Sequence, residues 1–428
     1  MKNLFEQHES DVRGYCRNFP AVFTTAKGAW MTDQDGRRYL DFFAGAGVMN
    51  YGHNPDKLKT ALIDYLQRDG ITHTLDMYSV AKRDFIERFQ RVILKPRGLS
   101  YKMQFPGPTG TNAVEAALKL ARKVTVREQV VNFTNAFHGM TLGSLAVTGN
   151  DFYRDEHYGA RDNADNLPYA GYLGPEANTI DYLRKFISDK SSGVDLPAAV
   201  IVETVQGEGG INVASIKWLQ DLEKVCRDLD VLLIVDDIQM GNGRTGTFFS
   251  FERAGITPDM VTVSKSIGGG LPMALLLMRP ELDQWKPGEH TGTFRGNNLA
   301  FVAASAAINT YWRDDTFAKS IQKKGDLMKS WLTQIVTKYP ALEIELRGVG
   351  MVWGLDFAPR SAYAAAISKR AFEKGLVIEL AGADNNVVKF LPALITEDDV
   401  LKEGIDIIDS AIGEVHEEMQ AHEKAGSQ

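Results

Sequence analysis

Along the middle of the chain, short apolar runs alternate with stretches whose apolar residues recur at helical spacing. Residues 130–133, 198–202, 231–235 and 260–263 are mostly apolar and read as buried strands. Residues 113–123 and 216–228 carry the helical period between them. This alternation predicts an α/β, doubly wound domain built on a mostly parallel sheet. A ligand of such a sheet sits at the carboxyl ends of its strands.

The two ends of the chain carry a different pattern. Residues 30–43 (WMTDQDGRRYLDFF) place an Asp35-Gly36 turn between two semi-alternating runs, which predicts a hairpin. After residue 320 come a long helical pattern, an apolar stretch at 346–357, a helix around 362–374 and a strand near 387–390. The expectation is one smaller α+β domain made from residues 1–55 and 320–428, beside a large domain over 56–319. The polar tail from Glu414 reads as a solvated, fraying helix.

Composition narrows the class. A length of 428 residues with 44% hydrophobic and 24% charged residues suits a globular chain with a large core. The 48 basic and 55 acidic residues leave a net charge of −7, which argues against a nucleic-acid-binding face. Residues 271–278 form one of the longest apolar runs, well short of the ~20 residues of a membrane span. The first residues, with Glu6, Glu9 and Asp11, lack the apolar stretch of a signal peptide, so a cytoplasmic protein is expected. Two cysteines, Cys16 and Cys226, are too few for a disulfide framework or a metal cluster.

The candidate chemistry is concentrated in residues 231–272. One strand ends in Asp236-Asp237, and the next leads into Ser264-Lys265, followed by Gly268, Gly269 and Gly270. An acid and a lysine at the tips of parallel strands face one crevice. A lysine kept partly out of water has a lowered pKa and becomes a nucleophile. Taken singly, the acid reads equally as a helix cap and the lysine as half of an ordinary ion pair.

Asp236-Asp237-Ile238-Gln239, Gly243-Arg244-Thr245-Gly246, Pro258-Asp259 and Lys265 in this order resemble the signature of class III, fold type I, pyridoxal-phosphate aminotransferases. The resemblance implies pyridoxal 5′-phosphate as cofactor. It gives Asp236 the ring nitrogen, Gln239 the ring hydroxyl, and Lys265 the covalent link and the proton transfers. Asp237 stands where glutamate is usual. The run GPTGTNAVE, residues 107–115, is a glycine-containing turn entering a helix, a place where free N–H groups can hold phosphate. By resemblance Gly110 and Thr111 fall in the phosphate cup, while Pro108 and Asn112 depart from the family pattern. Phe137-His138-Gly139 resembles the family's aromatic-His-Gly, with Phe137 stacked on the ring and His138 a packed or hydrogen-bonded histidine. Thr293, in the run TGTFRGN, is expected to reach the phosphate of a partner subunit, which implies a homo-oligomer with active sites shared across a dimer. Arg295 stands where a small residue is commoner.

On the substrate side, ETVQGEGG (203–210) resembles the family's Glu-Pro-Val-Gln-Gly-Glu-Gly-Gly, with Thr204 in place of proline. Glu203 and Glu208 are candidate substrate residues. The resemblance implies that Glu208 shields a cation in one half-reaction and is displaced in the other. Without it, this stretch reads as a solvated loop with Glu203 capping a helix. Lys389 falls where relatives that bind an α-carboxylate carry arginine, and its point charge replaces a planar fork. By itself Lys389 reads equally as a strand-end surface lysine. The whole run is similar to ω-aminotransferases acting on 4-aminobutyrate, ornithine or acetylornithine. FAGAGVMNYGHNP and QFPGPTGTNAVEAALKLAR, with Lys389, carry a narrower likeness within that group. A cofactor-binding regulator without catalysis is disfavoured, since no length or basic patch remains for a DNA-binding domain. A dinucleotide enzyme is disfavoured too, because no G-x-G-x-x-G follows the first strand of the middle domain.

Overall fold

The structure, a computed structural model, describes residues 2–159, 161–358 and 360–426, with the backbone alone for residues 2, 3 and 423–426. Seven strands form the central sheet. Their order is Lys102–Gln104, Leu275–Met278, Met260–Val263, Leu232–Asp236, Ala199–Val202, Val130–Phe133 and Ala164–Leu167. Leu275–Met278 runs antiparallel to both of its neighbours, and the remaining pairs are parallel.

The near-continuous apolar strands follow from burial on both faces. Val131, Phe133, Val200, Val202, Leu233 and Val235 face one core, whereas Val130, Ala199, Ile201, Ile234 and Met260 face another. The first core is closed by Trp218, Leu222 and Val225 of the helix Ile216–Asp228 and by Phe301 and Ala304 of the helix Asn298–Tyr311. Val114, Ala117, Leu118 and Ala121, on one stripe of the helix Gly110–Thr125, close the second. That helix is longer than its apolar period, because Gly110, Thr111 and Asn112 supply a first turn that carries no apolar residue.

From Val130–Phe133 the chain first adds Ala164–Leu167 on one side, then crosses back to Ala199–Val202 on the other. This reversal opens a crevice at the carboxyl ends of the strands, the place where open α/β sheets bind ligands.

The two ends of the chain meet. The expected hairpin forms between Trp30–Asp33 and Arg38–Asp41, and Leu376–Val377 joins it in parallel through Leu40 and Asp41. A second sheet takes the order Glu345–Val349, Val352–Asp356, Val387–Phe390, Glu379–Ala381. Arg244 ties these parts together from a fully buried position. It donates to the Met351 and Pro392 carbonyls and to Asn50 Oδ1 at 2.9, 2.6 and 2.6 Å.

The tail is helical and largely exposed, as expected, but it is also docked. Asp398–Gly426 is one helix in which Val415 is buried, and Arg370 clamps Glu414 and Glu418 at 2.6 and 2.7 Å. The polar run is therefore docked through ion pairs rather than only solvated; its last two residues lie outside the described residues. Replacing Arg244 with methionine leaves three buried acceptors without donors, and should destabilise the protein by about 3 kcal/mol in a urea titration.

Candidate active site

A cavity of about 200 Å³ opens at the crevice, lined by Gly110, Thr111, Phe137, His138, Gly139, Glu203, Glu208, Asp236, Ile238, Gln239, Met240 and Lys265. Eight of the ten candidate site residues, all but Thr293 and Lys389, line it, and so does His138.

Asp236 closes the strand Leu232–Asp236 and is buried. Its Oδ1 accepts from Thr262 Oγ1 and from the Ile238 amide, and its Oδ2 lies 2.7 Å from His138 Nδ1. Burial alone would push the His138 imidazole down, but the hydrogen bond and charge of Asp236 outweigh it and raise its pKa. His138 is thus a hydrogen-bonded histidine as expected; that its partner is Asp236 emerges only from the fold. Asp237 points the other way, fully buried, and accepts from the Ser250 amide. Burial lifts its carboxyl to about 7.

Lys265 takes a left-handed backbone conformation, φ +52°, which an L side chain adopts only under constraint from its surroundings. Its Nζ donates to the Ala46 carbonyl at 2.8 Å, and burial lowers its pKa. Ala46 belongs to a tight turn in which Ala44, Gly45 and Ala46 all have positive φ. Gln239 Nε2 donates to the same carbonyl and to Glu208 Oε1, which leaves Gln239 Oε1 buried without a donor.

The helix Gly110–Thr125 begins with no side-chain cap on its amides. A Cβ on Gly110 would meet Ile238 Cδ1 at 2.9 Å, so this turn accepts no larger residue without a shift of Ile238. An uncapped helix start, an orphaned acceptor at Gln239, a buried acid and a desolvated lysine together fit a phosphorylated pyridine aldehyde.

Glu203 caps no helix. It is buried, and its two oxygens accept from the Phe137 and Gly207 amides at 2.9 and 3.3 Å. Burial lifts its carboxyl from 4.5 to about 7. Lys389 is no surface lysine: it sits inside the ladder Val387–Phe390 with no exposed area. Its Nζ lies 2.7 Å from Glu208 Oε1 and 2.9 Å from Glu379 Oε1, the latter off the angle of a hydrogen bond. Burial would raise Glu208, but Lys389, Lys265 and Gln239 outweigh it and hold its carboxyl at about 2. Thr293 lies apart from the cavity on an exposed loop, its carbonyl accepting from His73 beside the exposed ring of Phe294.

Residues 13–412 match the model of the family described as Aminotransferase class-III. The chain belongs to that family. Class-III aminotransferases use pyridoxal phosphate, and their architecture is the fold type I seen here. The chain is 58% identical over 418 residues to the diaminobutyrate–2-oxoglutarate transaminase of Wolinella succinogenes, covering 98% of this chain and 97% of that one. It is 54% identical to the enzyme of the same name from Halalkalibacterium halodurans, with 96% of each chain covered. Among solved structures it resembles the ornithine aminotransferase of Toxoplasma gondii, at 25% identity, a TM-score of 0.85 and coverage of 98% and 95%.

Sequence reasoning missed Glu379, the Ala46 carbonyl and the Asp236 contacts of Thr262 and His138. Glu379 had a signal: it is a lone acid inside an apolar run (LVIELA), where a charge is out of pattern for a buried strand.

One titration follows for the aminotransferase. A carboxyl raised by folding stabilises the fold below its ordinary value, and that contribution is lost as pH rises through the folded value, here from 4.5 to about 7. In urea titrations of the cofactor-free protein, Glu203→Gln should therefore gain on wild type between those two pH values, by on the order of 3 kcal/mol.

Proposed function

We propose that this aminotransferase moves an amino group between L-glutamate and L-aspartate 4-semialdehyde, giving 2-oxoglutarate and L-2,4-diaminobutyrate. In role it is a diaminobutyrate–2-oxoglutarate transaminase in the cytoplasm, serving the route to the neutral osmotic solute ectoine. The relatives above 50% identity over nearly the whole chain support this substrate pair. The observation that carries it is the Glu208–Lys389 ion pair at the cavity that holds Lys265.

The two substrates explain that pair. In glutamate and in diaminobutyrate the far carboxylate stands the same number of bonds from the carbon that reacts. They differ at that carbon, which bears a second carboxylate only in glutamate. A single cation beside Lys265 must then be available in one half-reaction and masked in the other. Lys389 supplies the charge, and Glu208 masks it until a substrate carboxylate displaces it.

Pyridoxal phosphate, when bound, supplies the electron sink that stabilises negative charge at the reacting carbon. The start of the helix Gly110–Thr125, with Thr111, would hold its phosphate, Phe137 its ring face, Gln239 Oε1 its hydroxyl and Asp236 its ring nitrogen. His138 and Thr262 hold Asp236 in place. Lys265 Nζ, its basicity lowered by burial, takes the proton from the reacting carbon and returns it. Glutamate and the aldehyde use the site in turn, so the kinetics are ping-pong. Thr293 completes the phosphate site of a second copy, which makes the working unit a homodimer; its exposed loop beside Phe294 supports this.

The first experiment is to add amines singly to the purified yellow protein. Diaminobutyrate and glutamate should bleach its visible absorbance, and 4-aminobutyrate and ornithine should do so far less. Bleaching by either of the latter instead moves the substrate to another ω-amino acid. Failure to take up pyridoxal phosphate at all refutes the reading. Lys265→Ala should retain cofactor yet lose at least about a thousand-fold in turnover. Glu208→Gln unmasks Lys389, so the ratio of the glutamate rate to the diaminobutyrate rate, measured as separate half-reactions, should rise about ten-fold.

A further inference from the structure

The two carboxylates beside Lys389 are held very differently. Glu208 lies in a glycine-rich turn between the two-residue strands Val205–Gln206 and Asn212–Val213, flanked by Gly207, Gly209 and Gly210. Glu379 sits on Glu379–Ala381, directly opposite Lys389 in the antiparallel register, and is buried. Rotation about side-chain and turn bonds can carry Glu208 away from Lys389. Glu379 is fixed by the ladder. A cross-strand position keeps its carboxylate within reach of the ammonium throughout.

The surroundings make this difference matter. Lys389 has no exposed area, and Val352, Val387, Leu391 and Met240 form the apolar cluster around its strand. An ammonium left alone in such a place is strongly destabilised. Among the described residues, Lys265 and the phenols of Tyr15 and Tyr153 also feel the charges of this cluster, and Asp236 acts on Lys265. Lys265 cannot act as a counter-ion. Both phenols are raised above their ordinary value, first by burial and then by the glutamates, so neither supplies an anion.

We propose that Glu379 is a positioning residue, the reserve counter-ion that holds Lys389 in place and neutral in sum while Glu208 leaves and a substrate carboxylate enters. This rests on the masking role of Glu208 given above. It also accounts for lysine at this position: a single ammonium offers no second arm, and Glu379 fixes the direction in which it points. Burial lifts the Glu379 carboxyl to about 7, whereas Glu208 is held at about 2. While Glu208 is docked, a proton on Glu379 keeps the cluster from carrying two negative charges. When Glu208 departs, that proton passes to solvent and Glu379 serves as the anion until the substrate carboxylate is seated, when Glu379 takes a proton back.

The test is a stopped-flow comparison of wild-type and Glu379→Gln holoenzyme, following loss of visible absorbance with glutamate and with diaminobutyrate separately. Only glutamate requires Glu208 to leave, so the ratio of the glutamate rate to the diaminobutyrate rate should fall about ten-fold or more. This is opposite in sign to the effect of Glu208→Gln. Glutarate, an unreactive dicarboxylate with the carbon spacing of glutamate, should perturb the absorbance more slowly by a similar factor. Glu379→Asp keeps the charge but withdraws it by one methylene, and should give an intermediate ratio; it also serves if Glu379→Gln does not fold. Rates that fall together, as a purely structural role would make them, or a ratio that stays unchanged, overturn the proposal. If Glu208→Gln leaves the ratio unmoved, the masking reading falls and takes this one with it. If Glu208→Gln shifts the ratio and Glu379→Gln does not, masking stands and the role of Glu379 is refuted.

Discussion

Lysine buried without water must be answered by an anion, and this requirement organises the site. Lys389 has no exposed area, and two glutamates, one from a turn and one from a neighbouring strand, stand beside its ammonium. Glu208 comes from the segment that follows the central strand Ala199–Val202, whereas Lys389 and Glu379 belong to the sheet built from residues 345–390. The ion pair therefore joins the two sheets at the mouth of the cavity. Gln239 extends the link, since it donates both to Glu208 and to the Ala46 carbonyl that also receives Lys265. A shift of Glu208 is felt along that chain of contacts as far as the reactive amine.

Elsewhere the site is set by backbone held under constraint. Lys265 and the Ala44–Ala46 turn lie in the left-handed region, a conformation that costs about 1–3 kcal/mol where a side chain is present. The neighbouring packing over-determines it: Ser266 Oγ donates to the Gly47 and Val48 carbonyls, and Arg244 binds Asn50 a few residues on. This is the use of the N-terminal segment. It brings a carbonyl to the lysine amine and a buried asparagine to the arginine that joins both ends of the chain.

Much of the frame was legible in the order of residues. Met260–Val263, Ile216–Asp228 and Val387–Phe390 match the expected elements to the residue, because each is marked by a clean period and bounded by turn or capping residues. Asp236 and Lys265 were legible because each ends a run of apolar residues, and a charged side chain at the tip of a buried strand faces the crevice. The tail is the helix expected, largely exposed beyond Val415, but its docking was not legible because its anchors, Arg370 to Glu414 and Glu418, lie more than forty residues apart in sequence. Lys389 as a surface lysine was a fair alternative for the same reason: nothing local to NVVKFLPALI says that two acids arrive beside it.

The sequence by itself determined the family, the cofactor and the polar groups that line the cavity, since these rest on residue types at fixed short spacings. Only the tertiary structure decided which groups meet. It set Glu379 opposite Lys389, gave His138 to Asp236, and turned Glu203 onto two backbone amides. The physical reason is that strand register and crossover place residues far apart in the chain within hydrogen-bond reach. Burial then fixes how each of them is charged, and no local pattern of residues encodes burial.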